Sequence, residues 1–111
     1  YTPVSIFPRW NFLLLAMNQL VNHLDKFNIM TNGKYKSKAI IRTGIGSKRP
    51  LHPQCQHVGD FTNQVKKMCP NINVIRLDNP NKIFNEYKKA IDAKNNKSTI
   101  LVEYGDYYNE K

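Results

Sequence analysis

At 111 residues, 41% of them hydrophobic and 11% aromatic, the chain has the length of one small domain and too much apolar content to stay disordered. Seventeen Lys and Arg against eight Asp and Glu leave a formal charge of +9, but the cations are spread along the chain, which predicts a solvated basic surface and no specific nucleic-acid face. No apolar run approaches the roughly 20 residues of a membrane span.

The opening "YTPVSIFPRW" has no initiator Met, no basic n-region and no small-residue cleavage site, so a signal peptide is not expected there and the chain reads as the inside of a longer gene product. From Trp10 to Phe27 the apolar residues Leu13, Ala16, Met17, Leu20, Leu24 and Phe27 recur at three- and four-residue spacing, which predicts an amphipathic helix with Asn11 as its cap. No strand is expected before that helix. "TNGK" at 31–34 ends the unit with a turn. "KAIIRT", 38–43, is a β-rich run expected to stop at Gly44 and Gly46, where glycine permits positive φ or a close approach of backbone to a ligand.

After a long loop, Phe61, Val65 and Met68 predict a second helix begun by Asp60 or Thr62. "INVIRL", 72–77, is the next strand. "DNP" at 78–80 caps a third helix with Pro80 in its first turn and Ile83, Tyr87, Ala90 and Ile91 on its buried stripe. "STILVEY", 98–104, is the last strand. Helical crossovers between strands predict a parallel sheet in a three-layer α/β domain, taken as one domain over 1–111 and expected to be incomplete at its N-terminus.

In such a sheet ligands lie beyond the carboxyl ends of the strands, and the stretch from Thr43 to His57 leaves the first predicted strand at that end. It holds no GxGxxG running into a helix and no GxxxxGK[ST], so dinucleotide and P-loop binding are not supported. Cys55 and Cys69, 14 residues apart, show no CxxC spacing and read as reduced thiols in a cytoplasmic protein. His52, Cys55 and His57 lack the paired ligand spacing of structural zinc, so no metal site is expected. His23 is mid-helix without an acidic partner at helical spacing. Of the carboxylates, Asp25, Asp60, Asp78, Glu86, Asp92, Glu103, Asp106 and Glu110, no two are placed together in the loop.

Taken in order, "NFLLLAMNQLVNHLDKF", "IIRTGIG", "QHVGDF" and "INVIRL" resemble the pyrimidine-binding domain of transketolase-like thiamine diphosphate enzymes, and most of all the β subunit of 2-oxoacid dehydrogenase decarboxylase components. That family shows an aromatic opening a helix with a D-Q-[IV]-[IV]-N stretch, a strand ending in I-R-G-P-x-G, and Q-H-S-Q leading a helix. The resemblance runs from about Trp10 to Tyr104. It implies the thiamine diphosphate-binding fold, with Phe12 stacked on the aminopyrimidine ring, Gln19 of the helix stretch near the cofactor, His57 as the catalytic histidine after Gln56, and Arg42, Gly44 and Gly46 in the active-site loop. His52 in "LHPQ" fits the spacing less well.

The chain departs from the family at Thr43, usually glycine, and at Val58–Gly59, which replace Ser-Gln. These departures leave the substrate open between a 2-oxo acid and a ketose. The glutamate that activates the pyrimidine lies, in the family, before the first helix, and no glutamate precedes Glu86 here. The diphosphate and its divalent metal belong to another domain or subunit. The resemblance therefore implies a second copy or an α-type partner subunit and no catalysis by this stretch alone. The competing expectation is a basic α/β module for nucleic acid, or a non-catalytic interaction domain.

Overall fold

A computed structural model describes residues 1–108; residues 109–111, Glu110 among them, lie outside the described part. Four parallel strands form one sheet in the order β1-β2-β4-β3, with β1 at Val4–Ile6, β2 at Ile40–Ile45, β3 at Asn73–Arg76 and β4 at Thr99–Tyr104. Helices cover both faces, so the expected three-layer α/β architecture with helical crossovers is present. No helix is long and apolar enough to cross a membrane among the described residues.

Alternation along the strands divides the core in two. Ile41, Val74, Ile100 and Val102 point to the first face, where they meet Trp10, Leu13, Leu20, Val65 and Cys69. Ile40, Leu77 and Leu101 point to the second, against Ala90. Each such buried aliphatic contributes about 1.5–3 kcal/mol through the area it removes from water. β2 and β4 are enclosed on both sides over most of their length, which is why Ile40–Ile41 and Ile100–Val102 are consecutive apolar residues instead of alternating ones.

The first strand corrects the expectation that the chain opens on a helix. "VSI" is only three residues long and fully exposed, and its place is fixed by hydrogen bonds from Ile40 N to Pro3 O (3.0 Å) and from Phe7 N to Arg42 O (2.9 Å). β2 also departs from expectation, running through Gly44 instead of stopping there. Neither Gly44 nor Gly46 has positive φ; Gly33 alone among the described glycines does, at 72°, where the first helical unit ends. Gly44 stands opposite Glu103 in the ladder, and a Cβ there would come within 3.2 Å of the Pro8 carbonyl oxygen.

The first helical unit changes pitch along its length. α1 (Trp10–Leu13) passes through a 3-10 turn (Leu14–Ala16) into a π-helical stretch (Asn18–Leu24) and then α2 (Phe27–Met30). Asp25 N bonds Leu20 O at 3.0 Å, five residues back. The wider turn shifts the buried stripe by a residue, leaving Leu24 half-buried and carrying Asp25 into the interior at 2% exposure. There Asp25 accepts from Asn71 N (2.8 Å), Asn71 Nδ2 (3.3 Å) and Lys26 Nζ (2.5 Å).

Asp60 begins α3 (Thr62–Met68) as expected, its Oδ1 accepting from Thr62 N at 3.0 Å and Thr62 Oγ1 at 2.6 Å. The helix buries Val65 and, just beyond it, Cys69, while Met68 is exposed, contrary to the predicted stripe. Burial pushes the Cys69 thiol up to about 11, which keeps it a protonated, apolar packing group. α4 (Pro80–Ile91) is capped by the Asn79 side chain, which accepts from Asn81 N at 3.0 Å. Of its predicted stripe only Ala90 is buried and Tyr87 half-buried; Ile83 and Ile91 are exposed. Lys38 Nζ donates to the carbonyls of Ile91 (3.2 Å) and Asp92 (2.7 Å), satisfying the helix's last acceptors from the neighbouring layer.

Asp25→Ala is expected to destabilise the domain by about 1–3 kcal/mol, because it removes the buried carboxylate that ties Asn71 N, Asn71 Nδ2 and Lys26 Nζ to the end of the helical unit. Urea denaturation checks this; an unchanged midpoint would mean the carboxylate contributes nothing at that corner.

Candidate functional site

The start of α1 and the loop after β2 meet at the carboxyl end of the sheet. Phe12 and His57 stack with ring centroids 5.5 Å apart and planes inclined by 24°. Two residues beside Phe12 hold the loop. Arg9 Nη1 donates to His57 O at 2.9 Å and lies 3.5 Å from Ser47 O. Asn11, expected as a helix cap, instead accepts from Gly59 N through its Oδ1 at 3.3 Å.

Gly46 is where the loop and β2 pass closest. A Cβ there would overlap the His57 carbonyl oxygen and approach Arg9 Nη1 to 2.7 Å. The glycine is required for contact between two pieces of backbone, and positive φ has no part in it. The Phe12 ring remains 41% exposed, so its stack with His57 leaves aromatic surface open. Nδ1 of His57 is buried and has no partner among the described residues; the same holds for Trp10 Nε1 and Thr43 Oγ1 on adjoining elements. His52 differs: its Nδ1 accepts from Gln54 N at 3.0 Å and serves its own turn.

The other sequence-derived site residues separate from this pair. Gln56 is exposed in the 3-10 turn Cys55–His57. Gln19 lines a different hollow of about 350 Å³ between the π-helical stretch and the edge of the sheet, with Phe7, Leu20, His23 and Ile41. Arg42, placed in the active-site loop by the resemblance, is a strand residue on the second face, because successive side chains of β2 point to opposite sides.

There Arg42 makes a two-pronged bond to Glu103, Nε to Oε1 at 2.7 Å and Nη2 to Oε2 at 2.8 Å. Tyr87 donates to Oε1 at 2.7 Å and Tyr108 to Oε2 at 2.5 Å, so both carboxylate oxygens have two donors. Burial works against the Glu103 carboxylate, yet the hydrogen bonds from Arg42, Tyr108 and Tyr87 outweigh it and hold its pKa below the usual value. The hydrogen bond to Glu103 raises Arg42, while burial first, and then the same carboxylate, raise Tyr87 and Tyr108. Sequence reading missed this cluster, since Glu103 is 61 residues from Arg42 and nothing local joins them.

The end of β4 is tied to the loop by Asp106, whose Oδ1 accepts from Lys48 N (2.7 Å), Arg49 N (3.1 Å) and Ser47 Oγ (3.3 Å). The Lys48 amide first, with the others, holds the Asp106 carboxyl below its usual pKa. Among the described residues no three His, Cys, Asp or Glu side chains converge as a metal site would need.

No protein-family model matches the chain, and no curated protein matches it.

Two outcomes are expected from this geometry. Glu103→Gln should cost about 1–3 kcal/mol at neutral pH, since it leaves Arg42 without its counter-charge. Glu103 titrates lower when folded, so its contribution is complete above its ordinary value of 4.5 and is lost as pH falls through the folded value. Acid melting curves should therefore show the wild type and the variant converging below about pH 4; a constant difference would exclude the linkage. Arg9→Met should broaden or shift the His57 imidazole signals in NMR spectra while leaving those of His23 in place, with partial recovery in Arg9→Lys. Identical His57 signals in wild type and Arg9→Met would show that Arg9 does not position the loop.

Proposed function

We propose that this chain supplies the pyrimidine-side wall of a thiamine diphosphate-dependent active site that is completed by a second copy or an α-type subunit. The observation that carries the reading is the Phe12–His57 stack at the carboxyl end of β2. Two residues 45 positions apart (57 minus 12), singled out by one resemblance, lie ring against ring, and the imidazole keeps a nitrogen free of any partner among the described residues.

The residues fit one side of such a cofactor. The exposed part of the Phe12 ring offers a flat apolar surface to a heterocycle. His57 places an imidazole, the side chain most often used as a general acid or base, at the edge of that surface. Arg9 and Asn11 hold the backbone that follows the imidazole, at the His57 carbonyl and the Gly59 amide. Arg42 and Glu103 belong to the opposite face and are saturated by each other and by two tyrosines, so they take no part in the proton chemistry.

When bound, thiamine diphosphate would supply the electron sink for cleavage beside the carbonyl of a 2-oxo acid or a ketose. Its diphosphate, its divalent metal and the carboxylate that activates its ring would come from elsewhere in the assembly.

The test uses the full-length product with its partner subunit. His57→Ala should lower turnover by roughly a hundredfold to ten-thousandfold, the range for a general acid or base, with little change in cofactor affinity. Phe12→Ala should instead weaken thiamine diphosphate binding, by roughly fivefold or more for the loss of one aromatic contact. His52→Ala should leave both near wild type. Absence of thiamine diphosphate binding to the assembled protein, or a larger effect at His52 than at His57, would overturn the assignment.

A further inference from the structure

A separate hollow opens at the carboxyl ends of β3 and β4. It has a volume of about 670 Å³ and is lined by Leu77, Asp78, Pro80, Ile83, Glu103, Tyr104, Tyr107 and Tyr108, a size usual for small-ligand pockets. Topology accounts for its position. After β2 the chain leaves to the first face through α3, whereas after β3 it leaves to the second through α4, so the connections part on either side of β4. A crevice opens at such a parting, and in open parallel sheets this is where ligands bind.

The lining defines what could fill it. Tyr104 and Tyr107 stack with centroids 5.1 Å apart and planes at 28°, giving a fixed aromatic wall. Leu77, Pro80 and Ile83 add aliphatic lining. Of the two carboxylates, Glu103 is neutralised by Arg42 and has donors on both oxygens. Asp78 is exposed and has no hydrogen bond or ion pair among the described residues.

Among the described residues no Lys or Arg lines the hollow. Arg76, which lies close enough to Tyr104 for its charge to act on the phenol, is held by Asp60 at 2.8 Å, and Lys66, Arg76 and Lys82 border the neighbouring depression that shares Asp78, none of them pairing with it. The first amides of α4 are taken by Asn79, through its side chain to Asn81 N and its carbonyl to Lys82 N, so they are not offered to an anion. On a chain of net charge +9 this is a local reversal: tyrosine faces beside one uncompensated carboxylate.

We propose that this hollow binds a small organic cation, one with a flat or apolar body that lies against Tyr104 and Tyr107 and a positive end directed to Asp78. Aromatic faces attract cations through their quadrupole, and a carboxylate at the rim adds a salt-sensitive attraction.

Three probes of one shape and different charge test it: benzamidine, benzamide and benzoate, titrated into the intact protein while the ring signals of Tyr104 and Tyr107 are followed by NMR. Benzamidine should bind saturably with a Kd of roughly 10 mM or tighter, as expected for a ligand of its size, and at least fivefold more tightly than benzamide. Benzoate should not bind. Asp78→Asn should reduce the preference for benzamidine over benzamide by roughly fivefold, and added salt should do the same. Asp78 is exposed, so that variant should fold; a far-UV circular dichroism spectrum like the wild type's confirms it. Acetyl-arginine amide, tested alongside, distinguishes the source of the cation: binding tighter than benzamidine's supports the proposal with a partner's side chain as the occupant. Equal or tighter binding of benzoate, no saturable shift with any cation, or an Asp78→Asn variant that keeps the full charge preference would overturn it.

Discussion

The parallel pairing of β2 with β4 is the constraint on which the rest of the structure depends. Six residues of each strand are in register, Ile40 opposite Thr99 through Ile45 opposite Tyr104, and both strands are buried on both faces over most of that length. The strands are not neighbours in sequence; α3, β3 and α4 lie between them. Every later feature is hung on this pair: β1 on its outer side, β3 on the other, α1 and α3 over one face, and α4 over the other. Because side chains alternate with a period of two, one residue's slip between β2 and β4 would send Arg42 into the apolar first core and Ile41 to the second face.

Arg42 and Glu103 make that slip costly. In register, Arg42 faces Leu101 and Gly44 faces Glu103, so guanidinium and carboxylate are diagonal neighbours on one face, two positions apart along the ladder, a distance that a long side chain spans. Glycine opposite Glu103 leaves the space beside the carboxylate free of a side chain. Tyr87 from α4 and Tyr108 from beyond β4 then complete the coordination. The cluster is a register lock that also anchors the second layer. It takes no role from the His57 loop, which lies across the sheet.

How far this could be read from the sequence follows from the range of each interaction. β2 and β4 were legible because strands buried on both faces carry consecutive aliphatic residues, and β3 because Ile72, Val74 and Ile75 are β-branched, whatever the partner. β1 was not, since "VSI" between Pro3 and Pro8 carries no period of its own and becomes a strand only by bonding β2. The cap of α4 was legible in "DNP", where Asn79 and Pro80 act within one turn. The interior position of Asp25 was not, because it results from a π-helical pitch that 3.6-residue periodicity does not anticipate. At the site, the resemblance named Phe12 and His57 each for a cofactor, and their contact with one another, ring on ring, was not expected from it. It failed for Arg42, whose partner is chosen by the ladder, and it was silent on Arg9, a cation that looks like any other surface charge until the His57 carbonyl is seen beneath it.

The two faces are not independent. Asp106 follows β4 by two residues and accepts from the backbone of Lys48 and Arg49, in the loop that began at Gly46. Arg9 grips the same loop through Ser47 and His57. On the other side of Asp106, Tyr107 and Tyr104 form the aromatic wall of the second hollow. A single short turn, Gly105–Tyr107, therefore fixes the start of the loop that carries His57 and the wall of the tyrosine-lined cavity. The two attachments are consecutive in the chain: Asp106 accepts from the loop amides, and Tyr107 stacks on Tyr104. The carboxyl end of β4 is thus the place where the loop that carries His57 and the stacked tyrosines are held by the same short turn.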